Sequence, residues 1–257
     1  MMVHKALAVG ALAIGAATTL APTTARYRVD QTVEQVVDAS ALGGTEQRQR
    51  FTVSTYLTVT LSDTAGGKTV HAVVDSMRGD SATPVPQAVL DSARGVALHG
   101  FVAPGGRLDA VQPVTATALA PQLTGVVRQL FPPVRPGVKV GDGWADTTES
   151  TTPGAGKMSI RRVTTYKATG QESRGGVTAT KIETQFTASV TGTQQTPNGP
   201  ANIHGTGTGS ESYYLAPDGR YISGTSTQNS RLTVSGAFAP KPLPVTLTEV
   251  FTVSALR

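Results

Sequence analysis

The sequence predicts a mainly β protein: a long-stranded, curved antiparallel sheet, half-barrel or barrel-like, with one or two short helices covering its concave face. Three observations carry this. Apolar and polar residues alternate over runs of more than ten positions. Threonine, whose branched Cβ suits a pleated, half-buried surface, occurs 38 times. Helical periodicity is confined to two short stretches before the middle of the chain.

The elements follow in order. Met1 to Lys5 carry one positive side chain, Ala6 to Ala17 are uncharged and mostly apolar, and small residues follow to Ala25. Charge, apolar run and small residues in that order predict a secretory signal, with the cut between Ala25 and Arg26. The apolar run is too short and too rich in Ala and Gly for a spanning helix. The mature chain is therefore expected to be extracytoplasmic, periplasmic or secreted, and not an integral membrane protein.

From Tyr27 to Asp38 the odd positions read Tyr27, Val29, Gln31, Val33, Gln35 and Val37, and the even ones are mostly polar. Phe51 to Ser62 alternates in the same way. Such runs are strands with one wet face. Further strands are expected at Lys68–Ser76, Met158–Ala168, Val177–Val190, Ser212–Ala216, Arg220–Thr227 and Arg231–Val234. The last strand places Val245, Leu247, Glu249, Phe251, Val253 and Ala255 inward. Strands this long must twist and coil, so the sheet curves; the pattern leaves open whether it closes.

Pro84 to Gly95 predicts a short helix with Val89, Leu90 and Ala93 on one side. Pro121 opens a better one, stopped by Pro132 and Pro133. Its stripe, Leu123, Val126, Val127, Leu130 and Phe131, should cover the sheet and is the expected lining of any apolar cleft there. Phe131 to Trp144 is rich in Pro and Gly and reads as a stiff connector. Within it Asp142 should cap a turn by accepting from backbone N–H groups, and Trp144 should anchor the strand that follows. The chain thus divides into a leader at 1–25, a first sheet half with both helices at 26–130, a connector at 131–144 and a second sheet half at 145–257.

Phe101-Val102-Ala103-Pro104-Gly105-Gly106-Arg107-Leu108 aligns with Tyr214-Leu215-Ala216-Pro217-Asp218-Gly219-Arg220-Tyr221. The match fits two similar halves, and it fits equally two hairpin turns that need the same residues. Gly205, Gly207 and Gly209, read in a strand, bare one face; a bend in the sheet is expected there, with close approach of a ring, helix or ligand as the alternative.

The chemistry is sparse. There is no Cys, which excludes disulfides and thiolate sites. The histidines show no metal-ligand spacing, and His71, on one strand face with Asp75, is expected to be a surface contact. No nucleophile elbow is present, and no cofactor or metal is expected. The formal net charge of +5 is scattered and aromatics are 5%, so neither a nucleic-acid surface nor a membrane barrel is expected.

The segment Pro136-Gly137-Val138-Lys139-Val140-Gly141-Asp142-Gly143-Trp144, with the early Tyr-x-Val strand and the strand-rich second half, resembles a family of uncharacterised secreted bacterial β-sheet proteins of unknown function. That resemblance implies no activity. In architecture alone, a curved sheet covered by helices resembles the periplasmic lipoprotein-carrier half-barrels. The functional expectation is a non-enzymatic envelope protein that binds or carries a lipid or other amphiphile. The alternative is a structural or protein-interaction module of the envelope. A hydrolase would need a polar site that the sequence does not display.

Overall fold

The computed structural model describes residues 22–104, 106, 108–134, 137–152, 157–196, 199–237 and 241–256. The expected leader lies mostly outside them. Eleven strands form one antiparallel sheet, running β1 (Thr23–Asp38), β2 (Glu46–Thr64), β3 (Gly67–Gly79), β4 (Ala97–Val102), β5 (Leu108–Pro113), β6 (Gly143–Thr152), β7 (Met158–Arg174), β8 (Val177–Thr196), β9 (Gly199–Leu215), β10 (Tyr221–Gly236) and β11 (Leu243–Leu256). The order across the sheet is β5-β4-β3-β2-β1-β11-β10-β9-β8-β7-β6. Two meanders therefore meet where β1 pairs with β11, and the sheet is not closed, with β5 and β6 as its edges.

Helix α1 (Gln87–Asp91) lies between β3 and β4, and α2 (Ala120–Gln129) between β5 and β6. The expected first helix shrinks to five residues, because Pro84 and Pro86 precede it and Gly95 turns the chain at positive φ. The second forms as its stripe requires, with a proline in its first turn. Since β5 and β6 are opposite edges, the segment from residue 114 to 142, α2 included, must cross from one edge to the other.

The sheet curls beneath that crossing. Val102 of β4 and Ile182 of β8 line one cavity of about 470 Å³. In a flat sheet the seven strand steps between them would span about 34 Å. Four register shifts, at Tyr56/Leu57, His99/Phe101, Ala168/Gly170 and Tyr221/Ser223, supply local bends.

The alternation read from the sequence sets the inner face. Pairing builds cross-strand rows, one of which runs Ala168, Ile182, Tyr213, Gly224, Val253, Val29, Thr55 from β7 to β2. Members of that row join Leu57, Val70, Leu98 and the α2 stripe in one buried core. Strands β9 and β10 are longer than expected. The two expected strands Arg220–Thr227 and Arg231–Val234 merge in β10, which starts at Tyr221, and the glycine stretch is fully paired on both sides.

No register shift interrupts Gly205 to Gly209, so the bare face does not mark a break in the ladder. At Gly209 it seats a ring: a Cβ there would overlap Phe186, its direct partner on β8.

Thr23, Thr24 and Ala25 pair with Leu61, Thr60 and Val59, so the expected cut before Arg26 falls three residues inside β1.

Candidate functional site

The crossing segment and the hairpin tips enclose the 470 Å³ cavity. Its apolar wall comes from Leu61, Val102, Phe131, Val138, Ile182 and Leu215. Its mouth is framed by the two turns of the sequence repeat. Gly106 donates its N–H to Ala103 O at 2.8 Å, and Gly219 donates to Ala216 O at 2.9 Å. Both glycines have positive φ, 78° and 83°, which explains the glycine that the two turns share. Asp63 and Lys68, 3.6 Å apart, add a solvent-facing ion pair to the rim.

A second cavity of about 190 Å³ lies under the C-terminal end of α2 and shares Phe131 and Pro132 with the first. Its wall is polar. Arg162 reaches Glu211 through Nη2 at 2.5 Å and donates from Nε to Thr164 Oγ1 at 3.2 Å. The guanidinium lies 3.5 Å from the centroid of the Phe186 ring. Arg162 and Glu211 are 28% and 14% exposed, so water screens this pair less than the surface pairs of the molecule. Tyr166, Tyr213 and Tyr221 also line it, with exposed Arg128 at the rim. Burial pushes the hydroxyl pKa of Tyr213 far up, and the neighbouring Glu211 carboxylate adds to the rise. Tyr213 is 2% exposed, and neither its hydroxyl nor Thr184 Oγ1 has a hydrogen-bond partner.

The residues singled out from sequence separate. Leu123, Val126, Val127 and Leu130 are buried in the core between α2 and the sheet. They belong to the wall of neither cavity, whereas Phe131 belongs to both. Asp142 Oδ2 accepts the Lys139 N–H at 2.9 Å and so holds the turn that enters β6. Trp144 then stacks parallel on Tyr166 at 4.9 Å between centroids. His71 meets His99 at 3.1 Å between ring nitrogens on the opposite face of β3 from Val70 and Ala72. Asp75 turns instead to Thr58 and Arg26. Among the described residues no group of three or more candidate ligands could hold a metal. Among them, too, no helix is long and apolar enough to cross a membrane.

Sequence reasoning missed Arg162, Glu211 and Tyr213. The signal was present, because Arg162 shares inward parity with Tyr166, and Glu211 shares it with Tyr213 and Leu215.

One inward carboxylate carries a pH prediction. Glu249 on β11 accepts from Gln31 Nε2 at 3.3 Å and faces Gln228 across the ladder. Burial raises its carboxyl pKa, against a smaller lowering by the Gln31 hydrogen bond. The folded chain then keeps this proton where the unfolded chain has lost it. The resulting stabilisation is complete below the ordinary carboxyl pKa and is lost as pH rises through the folded value. Glu249→Gln should therefore raise the thermal midpoint at about pH 7 and leave it nearly unchanged at about pH 3.5, where both states are protonated. Melts at the two pH values check this.

No protein-family model matches the chain, and the search of curated proteins finds no match either. What the geometry defines is a class: an open, curled antiparallel sheet with two adjoining cavities, the smaller of which carries an Arg–Glu pair and buried tyrosines.

Proposed function

We propose that the chain is an exported, non-enzymatic binding protein that carries an apolar or amphiphilic ligand against its concave face. The observation that carries this reading is the 470 Å³ cavity with its apolar wall from β2, β4, β8, β9 and the crossing segment. Ligand sites for small molecules span about 300–1,000 Å³ and are mostly apolar with a few placed polar groups. The cavity opens among hairpin tips, where a ligand can pass without separating paired strands.

The neutral fluorescent probe N-phenyl-1-naphthylamine, titrated into the purified full chain, tests it. Saturable binding at one site is expected. Val138→Trp, which places a ring in the cavity from the crossing segment, should weaken that binding by about tenfold, equivalent to about 1.4 kcal/mol. Val140→Trp, two residues on and absent from the cavity wall, should not. A failure of the probe to bind saturably overturns the reading.

A structural or interaction role in the envelope is the second reading. It draws on β6, an edge strand of ten residues with one side of its backbone unpaired in the sheet. Crosslinking in cells that traps a defined partner at β6 would favour it.

A further inference from the structure

The two cavities are arranged along the strands in a fixed order. On β9 the inward residues Glu211, Tyr213 and Leu215 follow one another, the first two in the polar wall and the third in the apolar wall. On β8 Thr184 precedes Ile182 in the same direction, and Ile182 lines the apolar cavity. Inward residues on one strand are about 7 Å apart. One molecule with a short polar end and an apolar body could therefore touch both walls at once, passing Phe131 and Pro132, which the cavities share.

The wall of the smaller cavity holds one buried hydroxyl, that of Tyr213, without a partner among the described residues. Thr184 Oγ1, which lines neither cavity, is also buried without a partner among the described residues. Thr184 sits in the row between Tyr166 and Glu211. A buried hydroxyl left without a partner costs about 1–3 kcal/mol, so the Tyr213 hydroxyl in the wall of a cavity points to a ligand group that can hydrogen-bond it. Half-buried Arg162 is paired with Glu211, and the second arginine of the lining, Arg128, is exposed to solvent at the rim. Asp146, on the edge strand outside that wall, is engaged by the Thr147 N–H at 2.8 Å.

We propose that the polar cavity receives the carboxylate of a long-chain acid whose hydrocarbon lies in the apolar cavity. This rests on the ligand-carrying reading above and narrows it to one chemical class. The carboxylate accepts from Tyr213, which lines that cavity, and lies against the guanidinium of Arg162, whose five N–H groups exceed what Glu211 and Thr164 use. The 190 Å³ volume suits a head group of a few atoms.

Three ligands of equal chain length test it: laurate, dodecanol and dodecylamine, each used at pH 7.5 to displace N-phenyl-1-naphthylamine from the full chain. Laurate should displace the probe at about tenfold lower concentration than either of the others, the scale of a charge-assisted pair. Tyr213→Phe removes the unpartnered hydroxyl and keeps the ring. Its thermal midpoint should be unchanged or higher, while the laurate preference falls to about threefold or less. Arg162→Gln should abolish the preference. Equal displacement by all three ligands, tighter binding of dodecylamine, or an intact laurate preference in a folded Tyr213→Phe chain each overturns the inference. In all three results the probe still binds, so the carrying reading survives. Loss of probe binding itself overturns both.

Discussion

Replacing Leu123 by Ala should lower the unfolding free energy by about 3 kcal/mol, within the range of about 2–5 kcal/mol for a buried Leu that leaves a cavity behind. Leu123 is 1% exposed at the centre of the α2 stripe, with Val126 and Val127 buried beside it and Leu130 following. Helix α2 packs on β5, a six-residue edge strand ending at Pro113. The crossing segment therefore depends on this apolar stripe more than on backbone pairing. Urea denaturation should show a lower midpoint with an unchanged slope, because the native fold is kept. Gln122→Ala, on the exposed side of the same helix, should stay within about 0.5 kcal/mol. The substitution also separates a cover from a gate. If α2 is a cover, Leu123→Ala costs stability and leaves the affinity for a neutral probe nearly unchanged, since Leu123 lines neither cavity. If α2 were a gate, the probe affinity would move and the stability would not.

The fold class was legible because its signal is local. Alternation in Tyr27 to Val37 and in Val245 to Val253 fixes which side chains face inward, and the β1–β11 register keeps those two sets in the same rows. The helix of Leu123 was legible for the same reason. Strands β4 and β5, at six residues each, are too short for alternation to stand out. In β9 three glycines interrupt the apolar pattern, and only pairing on both sides makes the segment a strand. The cavities were not legible at all. Their walls join residues as distant in sequence as Leu61 and Leu215, and that juxtaposition depends on the curl of the whole sheet. The polar site lay between these cases. Inward parity for Arg162 and Glu211 could be read from their strands, but that they meet across β8 could not, because it needs the β7–β8–β9 register.

Gly209→Val should destabilise the chain by about 3 kcal/mol, the upper part of the usual range for overpacking. Two neighbours leave no space for a Cβ at this position: the edge of the Phe186 ring and the backbone carbonyl of Thr227. The ring could tilt away, but the carbonyl belongs to β10 and is held in the ladder. A double-mutant cycle separates the two. Phe186→Ala alone should cost about 3–5 kcal/mol as a buried aromatic truncation. The pair Gly209→Val with Phe186→Ala should cost less than the sum, because the ring overlap is relieved once. It should still be less stable than Phe186→Ala alone, because the Thr227 carbonyl remains. The effect reaches the polar cavity. Arg162 rests on the Phe186 ring at 3.5 Å while it holds Glu211, and a displaced ring takes that support away. Glu211 is only 14% exposed, so its carboxylate would lose its ion-pair partner with little water to replace it. Chains carrying Gly209→Val that remain folded should therefore keep the neutral probe and lose the preference for laurate. A variant that binds the probe normally and still selects the acid would show that Phe186 does not position Arg162.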